Sequence, residues 1–306
     1  MISDICGRIA NCATGLDWRR GTSRRNTHMV TRLITAAIGV AVTLIVLFLH
    51  NTAVLPIAAG AISVIALYEY LRANGLLRYH LSSAAALIYA LGLPLVQVGI
   101  IARYRSMLMV AAVSVVLYDY IRHKKKMPEK AFFCYLAGMF LIPTAMAATV
   151  TLNNVHEQHS VAYLVLALCG AWISDTGAYF FGTLFGKTKL CPEISPKKTV
   201  LGFAGGIAAN VVFFIGFCMG YSAYMKSKGI AMGVNWFAVI IIAMVCAVLG
   251  TLGDLAASTM KRQLGIKDFG NIMPGHGGVL DRFDSVLLVV PFFTAYVQAT
   301  NFFELA

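Results

Sequence analysis

The chain has 306 residues, of which 59% are hydrophobic and only 12% charged, and its 25 Lys and Arg outnumber 13 Asp and Glu to give a net charge of +12. So small a polar fraction cannot cover a water-facing exterior, which excludes an ordinary soluble domain. A bilayer core about 30 Å thick needs roughly 20 apolar residues per helix, and on that basis the sequence predicts an all-α, polytopic integral membrane protein with about nine transmembrane helices.

Residues 1–28 are polar, lack apolar periodicity and end just before Met29; they read as a leader that is either disordered or an artefact of start-site choice. The predicted spans then run over 33–50, 52–71, 82–101, 106–121, 131–150, 161–182, 201–224, 234–257 and 284–303. Five of them fall within an N-terminal membrane region, 29–160, and four within a C-terminal catalytic region, 161–306, that carries two polar islands. Arg19, Arg20, Arg24, Arg25 and Arg32 precede the first span and no small-residue cleavage site follows it, so it reads as an uncleaved anchor. The seven cysteines are scattered without CxxC spacing and read as small core or lipid-facing residues.

Loop charge sets orientation, because cytoplasmic loops carry the excess of Lys and Arg. With the N-terminus inside, only Arg103, Arg105, Lys226 and Lys228 face outward, which leaves 21 of the 25 basic residues on the cytoplasmic side. A nucleic-acid partner is therefore not needed to explain the charge. Each basic residue near an anionic surface gains about 1 kcal/mol, and the "RHKKKMPEK" stretch reads as a topology signal facing membrane lipid.

The first polar island is "WISDTGAYFFGTLFGKTKLCPEISPKKTVLGFAGG", from Trp172 to Gly206. Asp175 lies inside a helix, where an ionisable residue costs at least about 2.5–3.5 kcal/mol and is by default a functional candidate. Gly177 and Gly182 allow close helix packing, and Lys187, Lys189, Lys197 and Lys198 follow on a loop. Ser195 to Thr199 stand just before the seventh span, where a helix N-terminus offers backbone N–H groups to phosphate.

The second island, "GDLAASTMKRQLGIKDFGNIMPGHGGVLDRFDS", runs from Gly253 to Ser285. Asp281 and Asp284, three apart, share a helix face, and Asp254 meets them from the end of the eighth span. Hard oxygen ligands that enclose an ion incompletely suit Mg²⁺, whose shell is completed by water and substrate phosphates. Gly277 and Gly278 let backbone approach a ligand closely, and Lys261, Arg262, Lys267, His276 and Arg282 neutralise phosphate oxygens. His276 serves either as a donor to phosphate or as a donor that orders its own loop. Acids for metal beside bases for phosphate point to phosphoryl or nucleotidyl transfer.

These residues carry a family resemblance. Ser258, Met260, Lys261, Arg262, Lys267, Asp268, Gly270, Met273, Pro274, His276, Gly277, Gly278, Val279, Asp281, Arg282 and Asp284 resemble, in identity and spacing, the signature of the phosphatidate cytidylyltransferases, or CDP-diacylglycerol synthases. The first island is similar to a second hallmark stretch of that family. The resemblance implies a Mg²⁺-dependent membrane enzyme, a homodimer, that joins CTP and phosphatidic acid to give CDP-diacylglycerol and pyrophosphate. By position it implies Asp254 and Asp281 as metal ligands, Asp284 as a ligand or the partner of one, and a second cation such as K⁺. Asp175, Lys187, Ser195, Lys197, Lys198, Ser258, Gly277 and Gly278 fall to substrate binding, and Lys261, Arg262, Lys267, Asp268, His276 and Arg282 to catalysis. Two departures stand out: Ala257 occupies a position where the family commonly has an acid, and Val200 and Leu201 follow "SPKKT" where an acidic or amide residue is common.

Two other readings compete. A secondary transporter also carries charges within apolar segments, but here no repeat relates the halves and the charges lie near one face. A related transferase acting on a prenyl-type lipid phosphate shares every polar feature, because tails are read by apolar surfaces. If Lys125 only sets topology, Lys125→Gln keeps wild-type activity and insertion, measured by lipid labelling and protease accessibility; an inactive but correctly inserted variant contradicts that role.

Overall fold

The computed structural model describes residues 34–97, 99–230, 232–273, 275, 277–300 and 303–305, so the polar leader lies outside the described residues. The helices in chain order are α1 (Ile34–Phe48), α2 (Val54–Ala73), α3 (His80–Leu95), α4 (Arg105–Arg122), α5 (Glu129–Val155) and α6 (Ser160–Phe185). They continue with α7 (Val200–Ser227), α8 (Trp236–Gln263), the single turn α9 (Leu280–Phe283) and α10 (Val286–Ala299).

Each of the nine apolar windows holds one helix, but the helices differ in reach. Among the described residues, six are long and apolar enough to cross a membrane: α2, α5, α6, α7, α8, and α4 together with the turn that leads into it from Ala102. Helices α1, α3 and α10 are apolar but shorter. The structure is therefore that of a multi-pass, all-α membrane protein with six candidate spanning helices among the described residues by length and composition, fewer than the nine or so expected. In α3 the last turn contains Pro94, which removes a backbone donor there. Within the predicted ninth span, 284–303, helix α10 begins at Val286 after a turn at Asp284 and Ser285 and ends at Ala299.

Two short strand pairs were not expected. Strand β1 (Lys189–Cys191) runs antiparallel to β2 (Ser195–Thr199), with Lys189 opposite Thr199 and Cys191 opposite Ser195. At the other end of the bundle β3 (Met232–Val234) pairs with β4 (Phe303–Leu305). Three-residue strands within an apolar chain offer too little alternation to be read as strands in advance.

Two apolar clusters organise the interior. One gathers α6, α7, α8 and α10 around Tyr163, Phe214 and Phe293. The other packs α2, α3, α4 and the first half of α5 around Leu67, Leu71 and Tyr135, and it also takes in Phe269, Val279 and Leu280 from the second polar island. Helix α5 contributes to both clusters, so the C-terminal island is seated on N-terminal helices across the division expected at residue 160.

In lipid, helices associate through close packing rather than through expulsion of water. Helices α6 and α7 meet at glycines: a Cβ at Gly177 would stand 2.5 Å from the Ala209 Cβ, and one at Gly206 would stand 2.6 Å from the Ser174 carbonyl oxygen. Gly177→Val is expected to force the pair apart at a cost of about 1–3 kcal/mol, seen as a lower unfolding temperature in detergent. Unchanged melting would show that this contact is not tight.

Candidate active site

Helices α6 and α8 end, and α7 and α10 begin, at one pole of the bundle, which collects their polar residues. Both descending helices are longer than the sequence patterns indicate. Asp254 lies nine residues before Gln263, about 13 Å from the helix end rather than one turn from it. Asp175 is ten residues before Phe185.

These ends enclose a cavity of about 690 Å³. Its lining includes Asp175, Ser195, Lys197, Lys198, Asp254, Lys261, Asp268, Asp281, Arg282 and Asp284, which brings ten of the expected site residues to one place. Lys187, Arg262, Lys267, Ser258, Gly277 and Gly278 are not part of that lining. Lys187, Arg262 and Lys267 are exposed, and His276 falls outside the described residues. Ser258 donates to Asp254 Oδ1 at 3.4 Å, one helical turn away.

The carboxylates differ in setting. Asp281 is nearly buried, and both of its oxygens are taken by N–H donors. Oδ1 accepts from Lys261 Nζ at 2.7 Å, while Oδ2 accepts from the Phe269 N–H at 2.9 Å and the Gly278 N–H at 3.0 Å. Asp254 instead pairs with Lys198 from β2. Asp175 lines the same cavity, and Asp284 Oδ1 accepts from the Ser285 N–H at 2.8 Å.

Burial pushes the Asp284 carboxyl above the usual carboxylate range; Asp254 and, more weakly, Asp175 push it the same way, against Lys261 and the Ser285 N–H. A carboxyl crowded by neighbouring acids in this way fits a cation placed beside it, which would relieve the repulsion. Among the described residues no three His, Cys, Asp or Glu side chains close on one point as a protein-only metal cage. Hard-cation sites completed by water and phosphate do not need one. The three-aspartate set expected from the resemblance thus meets an Asp281 already saturated by donors, beside an Asp254, Asp284 and Asp175 group that shares the cavity.

The basic wall comes from the β1–β2 hairpin and from α8. Thr199 caps α7, its Oγ1 accepting from the Gly202 N–H at 3.1 Å. Thr251 lines the cavity without having been singled out in the sequence, and Lys189 and Thr199, named there only as members of the first island, line it as well. Thr199 carried a signal, a hydroxyl residue directly before an apolar run. The departure at Ala257 lies elsewhere: this residue is 3% exposed within the second apolar cluster and is not part of the cavity lining.

Sequence reasoning also passes over Glu69, on α2 near the same pole. It is 2% exposed, and its Oε2 accepts from the Leu280 N–H at 2.9 Å. Its signal was the one that flagged Asp175, an acid within an apolar window.

The buried Lys261–Asp281 pair makes a direct prediction. Lys261→Met strands a buried carboxylate and is expected to destabilise the protein by about 3–5 kcal/mol. Adding Asp281→Asn removes that charge, so the double variant should unfold at less cost than the sum of the single changes. Strict additivity in detergent melts would show that the two side chains do not interact.

Comparisons with known proteins identify the family of the chain. The model of the cytidylyltransferase family matches residues 30–300. A phosphatidate cytidylyltransferase of Bacillus subtilis is 44% identical over 136 residues, covering 44% of this chain and 47% of that protein. One from Staphylococcus epidermidis is 37% identical over 165 residues, 53% of this chain and 60% of that protein. The alignments therefore span less than two thirds of these two relatives. A phosphatidate cytidylyltransferase of Staphylococcus aureus is 32% identical over 275 residues, covering 86% of this chain and 96% of that protein.

Proposed function

Because the chain belongs to the cytidylyltransferase family, we propose that it is a phosphatidate cytidylyltransferase, which converts CTP and phosphatidic acid to CDP-diacylglycerol and pyrophosphate. The observation that carries this reading is the single cavity in which acids from α6, α8 and the segment before α10 face lysines from β2 and α8. Such a site is built to hold two polyanions together.

The reaction is an attack of a phosphatidate oxygen on the α-phosphorus of CTP. A new P–O bond forms, the bond to the β-phosphate bridging oxygen breaks, and pyrophosphate leaves with that electron pair. The nucleophile is supplied already ionised by the lipid, so no protein nucleophile is required, and the task is positioning and charge neutralisation. Asp254 and Asp284, with Asp175 adjacent, would hold Mg²⁺, which when bound neutralises phosphate oxygens at the reacting centre. Lys197 and Lys198 on β2 face the nucleotide phosphates. Lys261 is fixed by Asp281 at the cavity wall, where its charge is ready without a search for conformation. Arg282 offers a planar fork for a phosphate.

The same reading places this pole at the cytoplasmic face. The basic runs Arg72 to Arg78, Arg122 to Lys130, Lys187 to Lys198 and Lys261 to Arg282 flank helix ends at the cavity pole, while Arg103, Arg105, Lys226 and Lys228 lie at the opposite ends of their helices. All nine apolar helices then cross or enter the bilayer from an internal N-terminus. CTP arrives through the basic hairpin, and the lipid presents its headgroup while its acyl chains stay in the membrane. A homodimer and a second cation such as K⁺ belong to this proposal through the family resemblance.

The test is incorporation of α-labelled CTP into chloroform-soluble lipid by purified protein. Label is expected only when phosphatidic acid and Mg²⁺ are both present. Label that appears with a prenyl phosphate but not with phosphatidic acid would reassign the acceptor, and no label from folded protein would sink the activity.

A further inference from the structure

The loop that carries Asp281 is held from two sides. Asp281 takes the N–H groups of Phe269 and Gly278. From the opposite side Glu69, 211 positions away on α2, takes the N–H of Leu280 at 2.9 Å. Glu69 is 2% exposed, and its second oxygen, Oε1, is buried without a hydrogen-bond partner among the described residues. That oxygen lies against Gly270, where an added Cβ would overlap it, and a Cβ at Gly278 would overlap Oε2. Two loop glycines are thus shaped around one carboxylate from a membrane helix. Buried polar atoms are nearly always paired, so a buried acid with one oxygen unspent is retained against a cost. An apolar residue at position 69 would avoid that cost but would leave the Leu280 N–H without its acceptor.

We propose that Glu69 is a positioning residue: by accepting from the Leu280 N–H it fixes the segment 277–284, and so the placement of Asp281 and Asp284 at the cavity. It does not line the cavity and acts through the loop. Asp281 ties the loop to α8 through Lys261, and Glu69 ties it to α2, so the loop's height relative to Asp254 is set by two helices rather than one. The inference rests on the proposed activity for its kinetic test but has an independent structural readout.

The experiment compares Glu69→Asp with Glu69→Gln. Asp keeps the charge but is one methylene too short to reach Leu280, whereas Gln loses the charge and keeps a carbonyl at the right reach. Each is purified in detergent, its kcat and KM for CTP are measured, and amide deuterium exchange is followed across 277–284. For E69D the expectation is a kcat about 10²-fold lower with KM little changed, since displacement of a catalytic constellation by about 1 Å has that effect. Exchange should quicken in 277–284 and stay unchanged elsewhere in the bundle. E69Q should keep slow exchange and a kcat within about tenfold of wild type, the loss of one modest hydrogen-bond contribution. The proposal is overturned if E69D retains wild-type kcat and protection. It is equally overturned if E69Q is as impaired as E69D, or if E69D loosens the whole bundle together with the loop. Should wild-type protein yield no labelled lipid, the proposed activity fails, and the exchange comparison alone still decides the role of Glu69.

Discussion

The arrangement depends on one buried ion pair, Lys261 with Asp281, and on the two loop amides that share the same carboxylate. A lysine at a helix end close to a membrane would ordinarily extend toward water. Here its ammonium stays inside because Asp281 meets it, and the Asp281 carboxylate in turn collects three donors. Twelve residues separate Phe269 from Asp281, so the contact closes the polar island into a compact loop instead of leaving it to wander over the surface. Once closed, the loop buries Phe269, Val279 and Leu280 among the N-terminal helices and presents Asp284 to Asp254 and Asp175.

Membrane packing explains why this loop can face a cavity rather than lipid. Small residues let α6 and α7 approach backbone to backbone, which draws the β1–β2 hairpin over the ends of α6 and α8 and puts Lys198 in contact with Asp254. Charges too costly for the hydrocarbon are thereby gathered at one pole, where acids and bases compensate one another. A divalent cation and two phosphorylated substrates would exchange those internal partners for external ones. Asp254 would pass from Lys198 to the cation, and Lys198 to a phosphate.

Much of this was legible in the chain. The nine helix positions followed from apolar windows, and the chemistry of the pole followed from Asp175, Asp254, Asp281, Asp284 and their lysines. The extra turns of α6 and α8 were hidden because polar residues continue a helix as readily as they end one. The division of labour among the aspartates was hidden for another reason: a carboxylate bound to backbone amides and one poised for a cation look identical in sequence. Glu69 was obscured by distance, since its partner lies 211 positions away. The hairpin was obscured by length, its strands being too short for a pattern to show.

The account turns on the carboxylates of α6, α8 and the segment before α10 forming one cation site. Titration of purified protein with Mn²⁺, a paramagnetic substitute for Mg²⁺, followed by the loss of the free-ion resonance, addresses this directly. The account predicts a bound ion in the wild type that is lost in both Asp254→Asn and Asp284→Asn while the fold persists. Undiminished binding in both variants would contradict it.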